Sequence, residues 1–163
     1  MTAHTTTPSE PEFFAALALL HGHRCPMSIL GARLGLAARS ALDAPAGQRL
    51  SALYRHQTCA LDGIQLATHC TLGNGNLRVE HRGEHRLLLW VEGQSTGSES
   101  RLTLAALERG RSFAELRDRV AGLTAGAPDR RQAEATMAQL LRSLESAPEA
   151  ELVAVRTGVP VEA

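Results

Sequence analysis

Every cysteine of this chain lies in two short stretches, HGHRCP (His21–Pro26) and CALDGIQLATHCTLGNGN (Cys59–Asn76), and a fold must bring both into one site if they share a chemistry. Four of the seven histidines also fall between positions 21 and 70. Thiolates and neutral imidazoles are the ligands that suit zinc and similar late first-row divalent ions. Three cysteines cannot all pair with one another, and a reducing compartment favours metal binding or catalysis over a disulfide.

The first stretch reads as a turn between two helices. Ser9 with Glu12 forms a capping-box pattern, and Phe13, Leu17 and Leu20 keep helical spacing, so a helix is expected over 10–20. Gly22 permits a turn, and Pro26 is suited to the first position of a helix over 26–42. Gly31 and Gly35 on that helix point to close packing against another backbone. Cys25 then stands at a helix N-terminus, where the dipole and unpaired N–H groups favour the thiolate. That placement makes Cys25 a candidate both for metal ligation and for catalysis, and the expected reactive thiol of the three.

In the second stretch, Thr58 caps a short helix over 59–68, on which Cys59 and Asp62 share a face, as do Asp62 and Gln65. Asp62 can join a metal directly, act in catalysis, or fix the tautomer of a ligating imidazole. Thr71, Gly73, Gly75 and Asn76 follow in a Gly/Asn-rich turn that permits positive φ or the close approach of a ligand.

The rest of the chain supplies scaffold. A weak strand pattern covers 50–57. Two strands, 77–81 and 86–91, flank the turn Arg82-Gly83-Glu84 and read as a hairpin, with His81 and His85 solvated beside it. Residues 94–100 read as a polar loop and 101–107 as strand or helix. Ser112 with Glu115 reads as a second capping box opening a helix, and a further helix over 130–146 presents Met137, Leu140, Leu141 and Leu144 to a core. A closing strand is expected within 151–158. The whole predicts a single α+β domain, a small mainly antiparallel sheet packed against helices over 10–163, preceded by a disordered tail over 1–9.

Charge and hydropathy narrow the function classes. Lys+Arg and Asp+Glu balance at 17 each, and no basic stripe with interleaved aromatics occurs, which argues against a nucleic-acid partner. No apolar run approaches the ~20 residues needed to span a bilayer. The N-terminus has no signal-peptide pattern, and the expected location is the cytoplasm.

The two stretches resemble the signature of the FmdE family, named for a component of formylmethanofuran dehydrogenase, in which the segments read like HGHLCPG and C-x-x-D-x-I-Q-x-x-T-G-C-T-x-G-K-G-N-L. The resemblance implies an α+β core domain that dimerises and a cleft in which His and Cys bind a divalent metal. Carried onto this chain, the metal candidates are His21, His23, Cys25, Cys59 and Cys70, with His23, Cys59 and Cys70 foremost. Asp62 belongs to the same set, and Thr71, Gly73, Gly75 and Asn76 shape the cofactor or ligand wall. Met27, His69 and Asn74 stand where the family pattern has Gly, Gly and Lys. The zinc finger that many relatives carry at the C-terminus is not expected, because no cysteine follows Cys70. The functional expectation is a metal-binding accessory or sensing protein, holding zinc or the metal of a haem-type cofactor, with a small molecule in the cleft and a homodimeric assembly. The alternatives are a small metalloenzyme that activates water or polarises a carbonyl, and a structural or assembly component of a larger enzyme.

Overall fold

The computed structural model describes residues 10–161. The tail expected over 1–9, with the capping residue Ser9, lies outside the described residues. The elements run α1 (Glu10–His21), α2 (Pro26–Leu42), β1 (Leu50–Tyr54), α3 (Ala60–Thr68), β2 (Leu77–Val79), β3 (Arg86–Val91), β4 (Thr96–Leu102), α4 (Leu104–Ala121), α5 (Pro128–Ser146), α6 (Glu149–Leu152) and β5 (Val153–Pro160). The strands form one sheet in the order β2-β1-β3-β4-β5, with β1 and β2 parallel and the remaining pairs antiparallel. This is the α+β domain with a mainly antiparallel sheet that the sequence predicts.

Helix α2 is the centre of the packing. Pro26 opens it and Asp43, in the left-handed region at φ 48°, ends it. Between them Ile29, Leu30, Leu34, Ala37 and Ala38 are buried. The expected close approach is made with α3: a Cβ on Gly31 would lie 2.0 Å from the Ala60 carbonyl oxygen, and one on Gly63 would lie 2.0 Å from that of Ser28. Backbone therefore meets backbone, and only glycine fits at either position. The Gly31/Gly35 face is thus consumed within the chain and is not available to a second copy.

Helices cover one face of the sheet. The main core joins them to the inward side chains Ala52, Tyr54, Leu77, Leu87, Leu89, Leu102 and Val153. The other face carries a small cluster of Leu53, Leu88 and Trp90, with the Arg78 guanidinium 5.7 Å above the Trp90 ring. Beside it Glu99, 5% exposed, pairs with Arg156 at 2.6 Å and Arg86 at 3.2 Å. The buried guanidinium of Arg33 on α2 donates to the carbonyls of Glu145 (3.0 Å) and Ala147, capping the C-terminal end of α5 with a cation.

Three sequence expectations are corrected. The 77–81 and 86–91 segments are not a hairpin: β3 pairs with β1, and β2 lies parallel to β1 on its other side. Helix α3 is the crossover that makes the parallel pairing feasible, and the turn after β2 passes the end of β1, where Arg82 and Glu84 donate N–H bonds to the Arg55 carbonyl. The 94–100 segment is not a loop but most of strand β4. Its inward residues are serines because α2 passes close by: Ser98 donates to the Ala38 carbonyl at 2.6 Å and Ser100 to that of Leu34 at 2.9 Å. Ser112 does not open a helix, because α4 begins at Leu104, capped by Thr103, whose hydroxyl accepts from the Ala106 N–H at 3.2 Å.

Candidate metal centre

Three helix ends converge on the two cysteine-bearing stretches. His21 is the last residue of α1, Cys25 is the N-cap of α2, and Cys59 is the N-cap of α3 with Asp62 one turn further on. The local sequence explains each end. Pro26 lacks a donor and belongs in a first turn, so the chain is extended at Cys25 (φ −131°). The Thr58 hydroxyl accepts from the Ala60 N–H at 3.3 Å, and its carbonyl accepts from Leu61 at 3.1 Å, which starts α3 where the sequence places it. The glycine contacts between α2 and α3 then hold the two cysteine-bearing ends together.

A ring nitrogen of His21 and the sulfurs of Cys25 and Cys59 lie within 4.8 Å of one another, the one such group of three or more donors among the described residues. His21 Nδ1 is 2.7 Å from Asp62 Oδ2. A carboxylate only accepts, so Nδ1 carries a proton, and in the neutral imidazole Nε2 then holds the lone pair. That Nε2 atom is buried and has no hydrogen-bond partner. A buried ring nitrogen without a partner, on a histidine that groups with two thiols, is an arrangement a late divalent cation would satisfy, and Asp62 is the carboxylate that would fix the imidazole for it.

The electrostatics carry the same message. Burial, and then the neighbouring charge of Cys25, push the Cys59 thiol above its ordinary range. Cys59 is exposed as a residue, and its sulfur lies within 4.8 Å of the Cys25 sulfur. The positive ends of α2 and α3 oppose that penalty, and a cation between the sulfurs would remove it.

The remaining candidates sit elsewhere. His23 is exposed, its ring centroid 4.7 Å from that of His21, and is outside the group. Cys70 is 1% exposed in the main core beyond the far end of α3, its sulfur 3.9 Å from the Thr68 carbonyl, and burial raises its thiol. The structure thus joins Cys59 to His21 and Cys25 rather than to His23 and Cys70. Cys25 is 9% exposed whereas Cys59 is exposed, so the helix-start argument that singles out Cys25 as the reactive thiol applies to both, and access favours Cys59.

The Thr71–Asn76 turn closes on itself. Asn74 Oδ1 accepts from the N–H groups of Thr71 (2.9 Å) and Asn76 (3.0 Å), Asn74 Nδ2 donates to the His69 carbonyl (2.9 Å), and Gly75 takes φ 73°. A lysine at 74 could accept neither N–H bond, so asparagine here braces the turn. His69 ends α3 in the left-handed region at φ 61°, which is why a glycine suits that position. Gln65 links turn to site: its Oε1 accepts from Leu72 N–H at 3.0 Å, and its Nε2 lies 3.4 Å from Asp62 Oδ1.

One polar cluster escapes sequence reasoning. His85, expected to be solvated, is half-buried with Nδ1 2.8 Å from the Tyr54 hydroxyl and its ring 4.9 Å from His56. Burial, then His56, lowers its pKa, and burial pushes the Tyr54 phenol up to about 12. The contact depends on the register of β1 against β3, for which the sequence offers no signal.

Comparison with known proteins places this geometry. The family model described as "FmdE, Molybdenum formylmethanofuran dehydrogenase operon" matches residues 20–154. The chain belongs to the FmdE family. Among solved structures, a tungsten formylmethanofuran dehydrogenase FmdE-like protein from Syntrophus aciditrophicus shares the fold, with a TM-score of 0.63 over 99% of this chain and 78% of that one at 23% identity. A probable S-adenosyl-L-methionine-binding protein of Archaeoglobus fulgidus is 36% identical over 75 residues, 42% of this chain. That match spans only 20% of the relative's length. No helix among the described residues is long and apolar enough to cross a membrane.

Proposed function

We propose that this FmdE-family chain is a metal-binding accessory or sensing protein that holds one zinc-like divalent ion through His21 Nε2, Cys25 Sγ and Cys59 Sγ. The observation that carries the reading is the buried Nε2 of His21, without a partner, while Asp62 occupies Nδ1 and two thiols stand alongside. Bound there, the ion would act as a Lewis acid toward whatever completes its coordination. The protein's own part is to orient the imidazole through Asp62, to set the two sulfurs at the starts of α2 and α3, and to keep one flank, at Cys59, open.

Three protein donors with an exposed flank favour an ion that accepts a further ligand over a closed four-donor structural knot. Asp62 is engaged by His21 and reads as an orienting carboxylate, not a free base. A reducing cytoplasm would keep the thiols available to the ion.

Elemental analysis of protein purified without a histidine tag tests the reading. About one equivalent of zinc or a similar ion is expected, lost in His21→Ala, Cys25→Ser and Cys59→Ser, and kept in Cys70→Ser and His23→Ala. A full equivalent retained by the Cys25→Ser/Cys59→Ser double variant would overturn it.

A further inference from the structure

The two thiols of the site are also placed to react with each other. Their sulfurs lie within 4.8 Å of each other. Their backbones cannot drift apart, because Gly31 and Gly63 seat the two helices directly on the backbone of Ala60 and Ser28. One thiol is reachable and the other is screened: Cys59 is exposed and Cys25 is 9% exposed. The third, Cys70, is 1% exposed in the core beyond the opposite end of α3. An accessible thiol with a second thiol held behind it is the arrangement that converts a sulfenic acid into a disulfide.

We propose that Cys59 and Cys25 form an oxidative modification site, Cys59 taking the attack on a hydroperoxide and Cys25 resolving it to an intramolecular Cys25–Cys59 disulfide. Once the pair has lost a proton, Cys59 Sγ attacks one peroxide oxygen. The O–O bond breaks, and its electron pair leaves with the distal oxygen, which takes a proton to become water or an alcohol. Cys59 is then a sulfenic acid. Cys25, giving its proton to solvent, attacks Cys59 Sγ: the S–S bond forms, the S–O bond breaks, and the departing hydroxide is protonated to water. In sum, two thiols lose two protons and two electrons, and one hydroperoxide is reduced.

The consequence for the metal rests on the function proposed above. Oxidation removes two of three donors, and His21 alone would not retain the ion. Conversely, an ion shared by both sulfurs protects them.

The experiment separates the two readings. Protein stripped with a chelator, its fold checked by circular dichroism, is treated with equimolar hydrogen peroxide, alkylated and mapped by mass spectrometry. A Cys25–Cys59 cross-linked peptide with Cys70 still alkylatable is expected, and in Cys25→Ser a dimedone adduct at Cys59. Oxidation of Cys70 at a comparable rate, disulfide-linked dimers through Cys59, or a dimedone adduct at Cys25 in Cys59→Ser equal in yield would each overturn the assignment. If the stripped protein loses its fold, the same mapping on the protein as purified decides by the same outcomes. One equivalent of zinc added to the stripped protein should slow cross-linking at least tenfold; cross-linking that proceeds unslowed counts against the metal site and leaves the dithiol assignment standing.

Discussion

Gly31→Ala is the substitution through which fold and site can be tested together. The added Cβ would stand 2.0 Å from the Ala60 carbonyl oxygen and 2.6 Å from the Ala60 Cα. A carbon–oxygen contact normally needs about 3.3 Å, so α2 and α3 must part by more than about 1 Å. Overpacking a core against side chains costs about 1–3 kcal/mol, and here the obstacle is backbone that has no rotamer to adopt. Alanine recovers about 1 kcal/mol of helix propensity over glycine, which leaves a net loss of about 2 kcal/mol. For a chain of this length that is a melting temperature lower by about 4–8 °C. Urea denaturation measures the loss, and a competitive zinc titration should show affinity falling in the same variant because Cys25 and Cys59 ride on the helices being separated. Gly110→Ala on α4 is the control, since its Cβ would meet only Met27 Sδ at 4.0 Å. Stability of Gly31→Ala within about 0.5 kcal/mol of the parent would refute the close-contact argument.

Further outcomes follow from the same geometry. Asp62→Ala frees the His21 ring, and zinc affinity should fall about 10–100-fold; a change under twofold would remove Asp62 from the site. His69→Gly relieves the left-handed φ of 61° and should raise the urea midpoint, by about 0.5–1 kcal/mol in stability. The Tyr54 phenol ionises near 10 when unfolded and at about 12 when folded, so the folded state retains the proton longer and stability should fall as pH climbs from about 10 to about 12. Alkaline denaturation should show that decline in the parent and a shallower one in Tyr54→Phe. Leu19 and Leu20 on α1 are 85% and 55% exposed, an apolar flank on which a second copy is the expected partner; light scattering at micromolar protein should give a dimer mass, and a monomer mass refutes it.

What could be read in advance was whatever local chemistry decides. Pro26 sets the start of α2, and Thr58 with its hydroxyl sets the start of α3. The pair Gly31/Gly35 announced a close helix contact, although only the fold reveals that Gly31 meets Ala60 and Gly35 meets Ala67. Asp62 one turn from Cys59 reads in the sequence as a ligand, a catalytic group or a carboxylate that holds an imidazole, and the structure sets it 2.7 Å from the His21 ring. What failed depended on neighbours distant in sequence. Ser98 and Ser100 look like loop residues until the α2 carbonyls they bond are in view. Leu77–Val79 looks like half a hairpin until β1 comes between it and β3. Ser112 with Glu115 mimics a cap, whereas α4 begins at Leu104 and runs through it. Cys70 matches a ligand by type and motif, but the end of α3 turns it into the core.

The glycine seam between α2 and α3 also bears on what the proposed ion would have to do for the fold. In small zinc domains the ion drives folding, since no site exists before it binds. Here the ends carrying Cys25 and Cys59 are set by backbone contacts within the core, and the His21 ring by Asp62. If the site takes an ion as proposed, its donors would stand assembled before the ion arrives. On the proposed function an ion would then add a modest, concentration-dependent increment to stability through mass action, and the protein treated with a chelator should stay folded and competent to bind the ion afterwards.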